Sequence, residues 1–175
     1  DVVAEAKKMK IPHVTEKKES QDFIESDDHG PLFEGYPVQP GKIVDTRGNQ
    51  IGSHRGLIHY TVGQRDGLGI SAGERMYVKE ISAGDNTIVI GKRNELLSTE
   101  TAIRDVHWIS GSPPGDEFAG VVRLRYRHGG VKSRIIITVK DKAKILFEEA
   151  QFAVTPGQAA VIYLGDEVLG GGWMA

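Results

Sequence analysis

The chain has 175 residues, 39% hydrophobic and 26% charged, which supplies a real core for one domain or two small ones and excludes disorder by composition. It contains no cysteine, excluding disulfides, thiolate metal sites and a cysteine nucleophile within these residues, and no apolar run of about 18 residues to span a membrane. With a formal net charge of −2, any nucleic-acid contact must come from a local basic patch.

The chain opens Asp1-Val2-Val3-Ala4, without methionine or a signal-peptide pattern, as a segment cut from something longer would. Asp1 as a cap, with Val2, Val3, Ala6 and Met9 near helical spacing, predicts a helix end over 1–10 that Pro12 stops. Residues 16–28 are polar and charged, and read equally as a linker or an ordered loop. From Gly41 the pattern turns β. Lys42–Asp45 and Gln50–Gly52 flank Thr46-Arg47-Gly48-Asn49, a hairpin signal, and Met76–Ile81 with Thr87–Ile90 flank a second turn at 83–86.

Between the hairpins, residues 52–70 hold five glycines, two arginines, two histidines, a tyrosine and a glutamine, with few apolar side chains to pack. Glycine at this density permits positive φ and close backbone approach, and the donors between suit phosphates, bases or another domain. The stretch reads as a shaped polar loop on a rigid frame.

Arg93–Leu97 predicts a single helical turn, followed by a domain boundary near Ser98. Beyond it lie β-rich runs at 101–109, 118–127, 131–140, 143–149, 159–164 and 167–174, separated by turn signals such as Pro113-Pro114-Gly115, Gly129-Gly130 and Pro156-Gly157. Short strands at this spacing with no helix between them predict a small barrel or a sandwich.

The clearest binding signal from spacing is Val121–His128. At period two, Arg123, Arg125 and Arg127 share one face and Val122, Leu124 and Tyr126 the other, with Lys132 and Arg134 across the Gly129-Gly130 turn. Residues 121–134 contain no acid. Such a stripe suits several phosphates with a tyrosine to stack or hydrogen-bond, or else forms a solvated barrel face whose arginines pair with acids on neighbouring strands. His54 and His59, and the Asp27-Asp28-His29 cluster, lack zinc-site spacing, so the histidines read as isolated surface or core residues. Gly67-Leu68-Gly69 departs from the dinucleotide fingerprint, and Gly170-Gly171-Gly172 reads as a bulge or close packing. A hydrolase built on His54 or His59 has no nucleophile or metal constellation to support it.

At five places the chain resembles the tRNA-specific 2-thiouridylases. His54-Arg55-Gly56 with Tyr60–Ile70 is similar to the family's "H-x-G … YTIGQRKGLGI", Arg125-Tyr126-Arg127 to "RYR", Ala153–Gln158 to "AVTPGQ", Val168–Gly172 to "VLGGG", and Lys18–Asp22 to "KDSQD". The resemblance implies a mainly β chain. Residues 1–27 would be the tail of an ATP-pyrophosphatase domain and linker, 28–97 a small central α+β domain docking tRNA, and 98–175 a six-stranded β-barrel similar to domain two of elongation factor Tu. It implies an ATP-dependent enzyme that thiolates C2 of the wobble uridine. In older usage the same proteins are tRNA methyltransferases. ATP would bind the upstream domain, leaving this fragment non-catalytic and without a cofactor of its own.

Carried over residue by residue, Arg125, Tyr126 and Gln158 match family positions that touch tRNA, and the loop at Gln64 and Arg65 lies beside the anticodon arm. The stripe adds Arg123 and Arg127, and the loop motif adds His54. The expected partners are the tRNA anticodon arm and a sulfur-donor protein, for a cytoplasmic monomer without membrane contact. Two departures stand out. Ile24 occupies the position where the family carries a persulfide cysteine, and an alkyl side chain has no lone pair to relay sulfur. Asp66 replaces a lysine, which weakens phosphate contact locally. Ile24 motivates an alternative, a non-catalytic β-barrel adaptor that binds RNA or a sulfur-carrier protein.

Overall fold

The computed structural model describes residues 8–9, 38–70, 73–125, 128–139 and 141–175, and Val38–Ala175 form one compact unit. The expected helix over 1–10 (apart from residues 8–9), the 16–28 connection, the "KDSQD" match and Ile24 lie outside the described residues.

The compact unit begins with a four-stranded sheet: β1 (Gly41–Val44), β2 (Gln50–His54), β3 (Met76–Ser82) and β4 (Thr87–Lys92), in the order β2-β1-β4-β3. Both expected hairpins form, and a parallel β1–β4 pair joins them. In the first turn the Asp45 carboxylate accepts the backbone N–H groups of Arg47 and Asn49 at 2.9 and 2.8 Å and the Asn49 side-chain amide at 2.9 Å. These bonds, led by those from Asn49, hold its pKa below the ordinary carboxylate range. Ile43, Val78, Ile88 and Ile90 are fully buried beneath the sheet, and Leu68 from the glycine-rich loop joins them.

The expected helical turn is a 3-10 helix over Arg93–Leu96. Glu95 ties it down, accepting the Lys92 N–H at 2.7 Å and the Thr46 hydroxyl at 2.8 Å. The chain then enters a closed six-stranded barrel: β5 (Leu97–Trp108), β6 (Glu117–Arg123), β7 (Val131–Val139), β8 (Lys142–Phe152), β9 (Ala159–Leu164) and β10 (Glu167–Met174), ordered β10-β5-β8-β7-β6-β9. Of the two architectures that strand spacing allowed, the barrel is the one formed. Ile103, Val122, Ile135, Ile145, Ile162 and Met174, one from each strand, are at most 1% exposed and fill its centre. Each such burial is worth roughly 1.5–3 kcal/mol.

The Gly170-Gly171-Gly172 run lets β10 lie close between β5 and β9. A Cβ on any of the three would come within 3 Å of a neighbouring carbonyl oxygen, those of His107, Ala160 and Arg104 respectively. Register shifts flank the run on both sides. Close packing with bulges is its role, as the spacing predicts.

Sheet and barrel meet at Phe152. Its ring meets Tyr77 edge-on at 5.2 Å and lies under the Arg93 guanidinium at 4.6 Å. The next residue, Ala153, has φ 52 and donates its N–H to the Leu96 carbonyl at 2.9 Å. Gly63 of the glycine-rich loop packs directly against Ala153 and Phe152.

Candidate nucleic-acid interface

The alternation along β6 holds where the strand meets solvent: Val122 and Leu124 are buried, and Arg123 and Arg125 are exposed. The ladder ends earlier than the expected 118–127, at Arg123, and the His128 N–H bonds instead to the Arg125 carbonyl at 3.0 Å. Tyr126 and Arg127 lie outside the described residues.

Arg123 places its guanidinium 4.7 Å over the Tyr163 ring, because β6 pairs with β9 in the register Arg123↔Val161 and Val121↔Tyr163. Arg125 and Gln158 join Arg123 in lining a groove of about 510 Å³, together with Leu124, Val161 and Tyr163. Gln158 is set in place by backbone bonds to β10: Gly157 donates to the Met174 carbonyl and Met174 to the Gln158 carbonyl, both at 2.8 Å. No carboxylate lines this groove. Among the described residues Arg123, Arg125 and Lys132 have no acidic partner, whereas Arg134 pairs with Glu117 at 3.1 Å. The paired-surface account therefore applies to Arg134 and not to the other three.

The glycine-rich loop is tied down largely by its own side chains. His54 is 1% exposed; its Nδ1 accepts the Gly56 N–H at 3.1 Å, so Nε2 carries the proton and donates to the Asn86 carbonyl at 3.0 Å. Its ring also meets Tyr60 edge-on at 5.9 Å. His54 is thus a buried brace of the loop, with both ring nitrogens bonded to backbone groups. The Gln64 Oε1 accepts the Thr61 N–H at 3.0 Å and its Nε2 donates to the Asp66 carbonyl at 2.9 Å, so the amide braces the loop and keeps one further N–H and one lone pair. Backbone bonds from Gly63 to Val78 and from Val78 to Gln64 stitch the loop to β3. Arg65 is exposed but its Nε pairs with Asp66 at 3.0 Å, a bond that holds the guanidinium still more firmly protonated. The cavity beside it, about 620 Å³, carries Glu74 as well as Arg65, Asp66 and Arg75. Mixed charge makes it the poorer anion site.

Tyr163 is the groove residue that sequence reasoning missed. Outward-facing Ala159, Val161 and Tyr163 alternate along β9, but nothing local says that β9 lies beside β6. Among the described residues no three His, Asp or Glu side chains gather to hold a metal ion, and no helix is long and apolar enough to cross a membrane.

Comparison with known proteins gives concordant matches. Residues 98–174 match the aminomethyltransferase beta-barrel domain, and residues 32–92 the tRNA methyl transferase PRC-barrel domain. The chain is 44% identical over 160 residues to the tRNA-specific 2-thiouridylase MnmA of Synechococcus sp. strain JA-3-3Ab, covering 89% of this chain and 43% of the relative. Against the protein of the same name from Acetivibrio thermocellus it is 41% identical over 176 residues, 98% of this chain and 49% of the relative. The Trichlorobacter lovleyi protein is 42% identical, over 91% of this chain and 46% of its own length. The chain therefore spans slightly under half the length of these relatives.

Proposed function

The chain belongs to the tRNA-specific 2-thiouridylase family, and from that premise we propose that its barrel groove is the docking surface for a tRNA substrate. The observation that carries the reading is the convergence of Arg123, Arg125 and Gln158 on one groove free of carboxylates. In a chain of net charge −2, this is where anions are drawn. Arg125 offers a forked donor to a phosphate, and Gln158 an amide that donates and accepts. The glycine-rich loop is linked to the groove through the chain: Gly63 packs on Phe152 and Ala153, where the 153–158 segment that ends in Gln158 begins.

In this reading the anticodon arm docks here, and a catalytic domain outside these residues binds ATP and replaces the C2 oxygen of the wobble uridine with sulfur, in the cytoplasm. The chain's own part is to bind and orient, and alone it does not turn over.

The test is fluorescence anisotropy of a labelled anticodon stem-loop RNA with the 175-residue chain. Arg125→Ala should weaken binding about tenfold, the loss of one charge-assisted contact. Arg134→Ala, whose guanidinium Glu117 already holds, should change it little. Equal losses at the two positions, or no RNA affinity in the parent, would instead favour the adaptor reading.

A further inference from the structure

We propose that this groove holds one unpaired nucleotide, its base lying on the Arg123–Tyr163 stack and its phosphate on Arg125. The inference rests on the RNA-docking reading and adds what part of the RNA is bound. A paired stem presents phosphates and sugars at its surface, for which exposed cations suffice. This groove offers more than cations. Leu124, Ala159, Val161 and Tyr163 give it an apolar side, and its volume of about 510 Å³ lies within the ~300–1,000 Å³ range of small-ligand pockets.

A guanidinium is planar, and one lying 4.7 Å over an aromatic ring marks a place where a second planar group can be held by cation and ring. Unstacked RNA bases are held in this way, on arginine planes and aromatic rings. The Gln158 side chain makes no bond within the protein among the described residues, leaving its amide to read a base edge or a 2′-hydroxyl. Ala159 is paired on its far side with Trp173, 48% exposed, so a second aromatic stands one strand beyond the groove for a neighbouring base. Phosphate, base and ribose each find a matching group.

The probes are two blunt-ended RNA duplexes of equal nucleotide number and charge, one fully paired and one with a single bulged 2-aminopurine, titrated against the 175-residue chain. The bulged RNA should bind about tenfold tighter, the increment of one base stack, and its fluorescence should fall on binding. Arg123→Lys keeps the charge and removes the plane. It should abolish the quenching and the preference, so that the bulged RNA binds no tighter than the paired one. Tyr163→Leu should do the same and Tyr163→Phe should keep both, with circular dichroism as the check on folding. Equal binding of the two RNAs, or a preference that survives Arg123→Lys, overturns the nucleotide slot and leaves RNA docking standing. Failure to bind either RNA overturns both.

Discussion

Substituting Gly63 by alanine perturbs the seam between sheet and barrel at a point where the structure sets the magnitude. Gly63 has φ 87, and a Cβ there would lie 2.9 Å from the Ala153 Cβ and 3.6 Å from the Phe152 ring. Carbon atoms rest at about 3.5–4.0 Å, so something has to move. Ala153 cannot retreat easily: its N–H is bonded to the Leu96 carbonyl, and Phe152 beside it is held between Tyr77 and Arg93. A left-handed backbone costs an alanine about 1–2 kcal/mol and overpacking about 1–3, against a gain of about 0.4–1 from a stiffer unfolded chain. The net destabilisation is roughly 2–4 kcal/mol, a thermal midpoint lowered by about 10 °C for a unit of this size. Ala153→Gly removes the opposing methyl and suits φ 52, so the double variant should recover about 1–3 kcal/mol of the loss, read as a coupling energy from urea midpoints. A Gly63→Ala midpoint within about 2 °C of the parent, or no rescue by Ala153→Gly, refutes the packing argument.

Acid sensitivity follows from two carboxylates. Hydrogen bonds from the Lys92 N–H and then the Thr46 hydroxyl hold the Glu95 pKa below its ordinary range, as those from Asn49 do for Asp45. A pKa depressed by folding contributes stability that is present above the ordinary carboxylate range and lost as pH falls through the lowered value. Glu95→Gln should therefore flatten the acid limb of the stability profile measured by urea unfolding, and an unchanged limb contradicts the assignment. His54→Leu strands the buried Gly56 N–H and the Asn86 carbonyl, which should cost roughly 2–4 kcal/mol by denaturant unfolding. RNA affinity measured well below the melting temperature should not change, and a selective loss of affinity would restore His54 as a contact.

Much of the architecture was legible because it is written locally. Turn residues at 46–49 and 83–86 mark both hairpins, and the alternation in 131–139 or 159–164 marks strands whose inward residues need one core. Which strands lie side by side is not local. The parallel β1–β4 pair joins residues far apart in sequence, and the β6–β9 pair that brings Tyr163 under Arg123 depends on barrel closure. Side-chain polarity was ambiguous in one respect. His54 and Gln64 sit in a segment whose density of donors suggested a ligand surface, and both ends of each side chain bond to backbone, a bracing part that polarity alone did not announce. Composition cannot separate a brace from a contact, because the same amide or imidazole serves either. The arginines were clearer: alternation at period two puts Arg123 and Arg125 outward whatever the neighbouring strand, although which of them stay unpaired depends on that strand, as the Arg134–Glu117 pair shows.

The salt dependence of anticodon stem-loop binding is the most direct measurement of whether this barrel groove docks RNA through its unpaired arginines. Each phosphate contact adds about 0.7–0.9 to the slope of log affinity against log salt. The Arg123→Ala, Arg125→Ala double variant should lower that slope by at least the ~0.7–0.9 of the Arg125 phosphate contact, while Arg134→Ala leaves it as it is. A slope that is the same in the parent and the double variant would contradict the account.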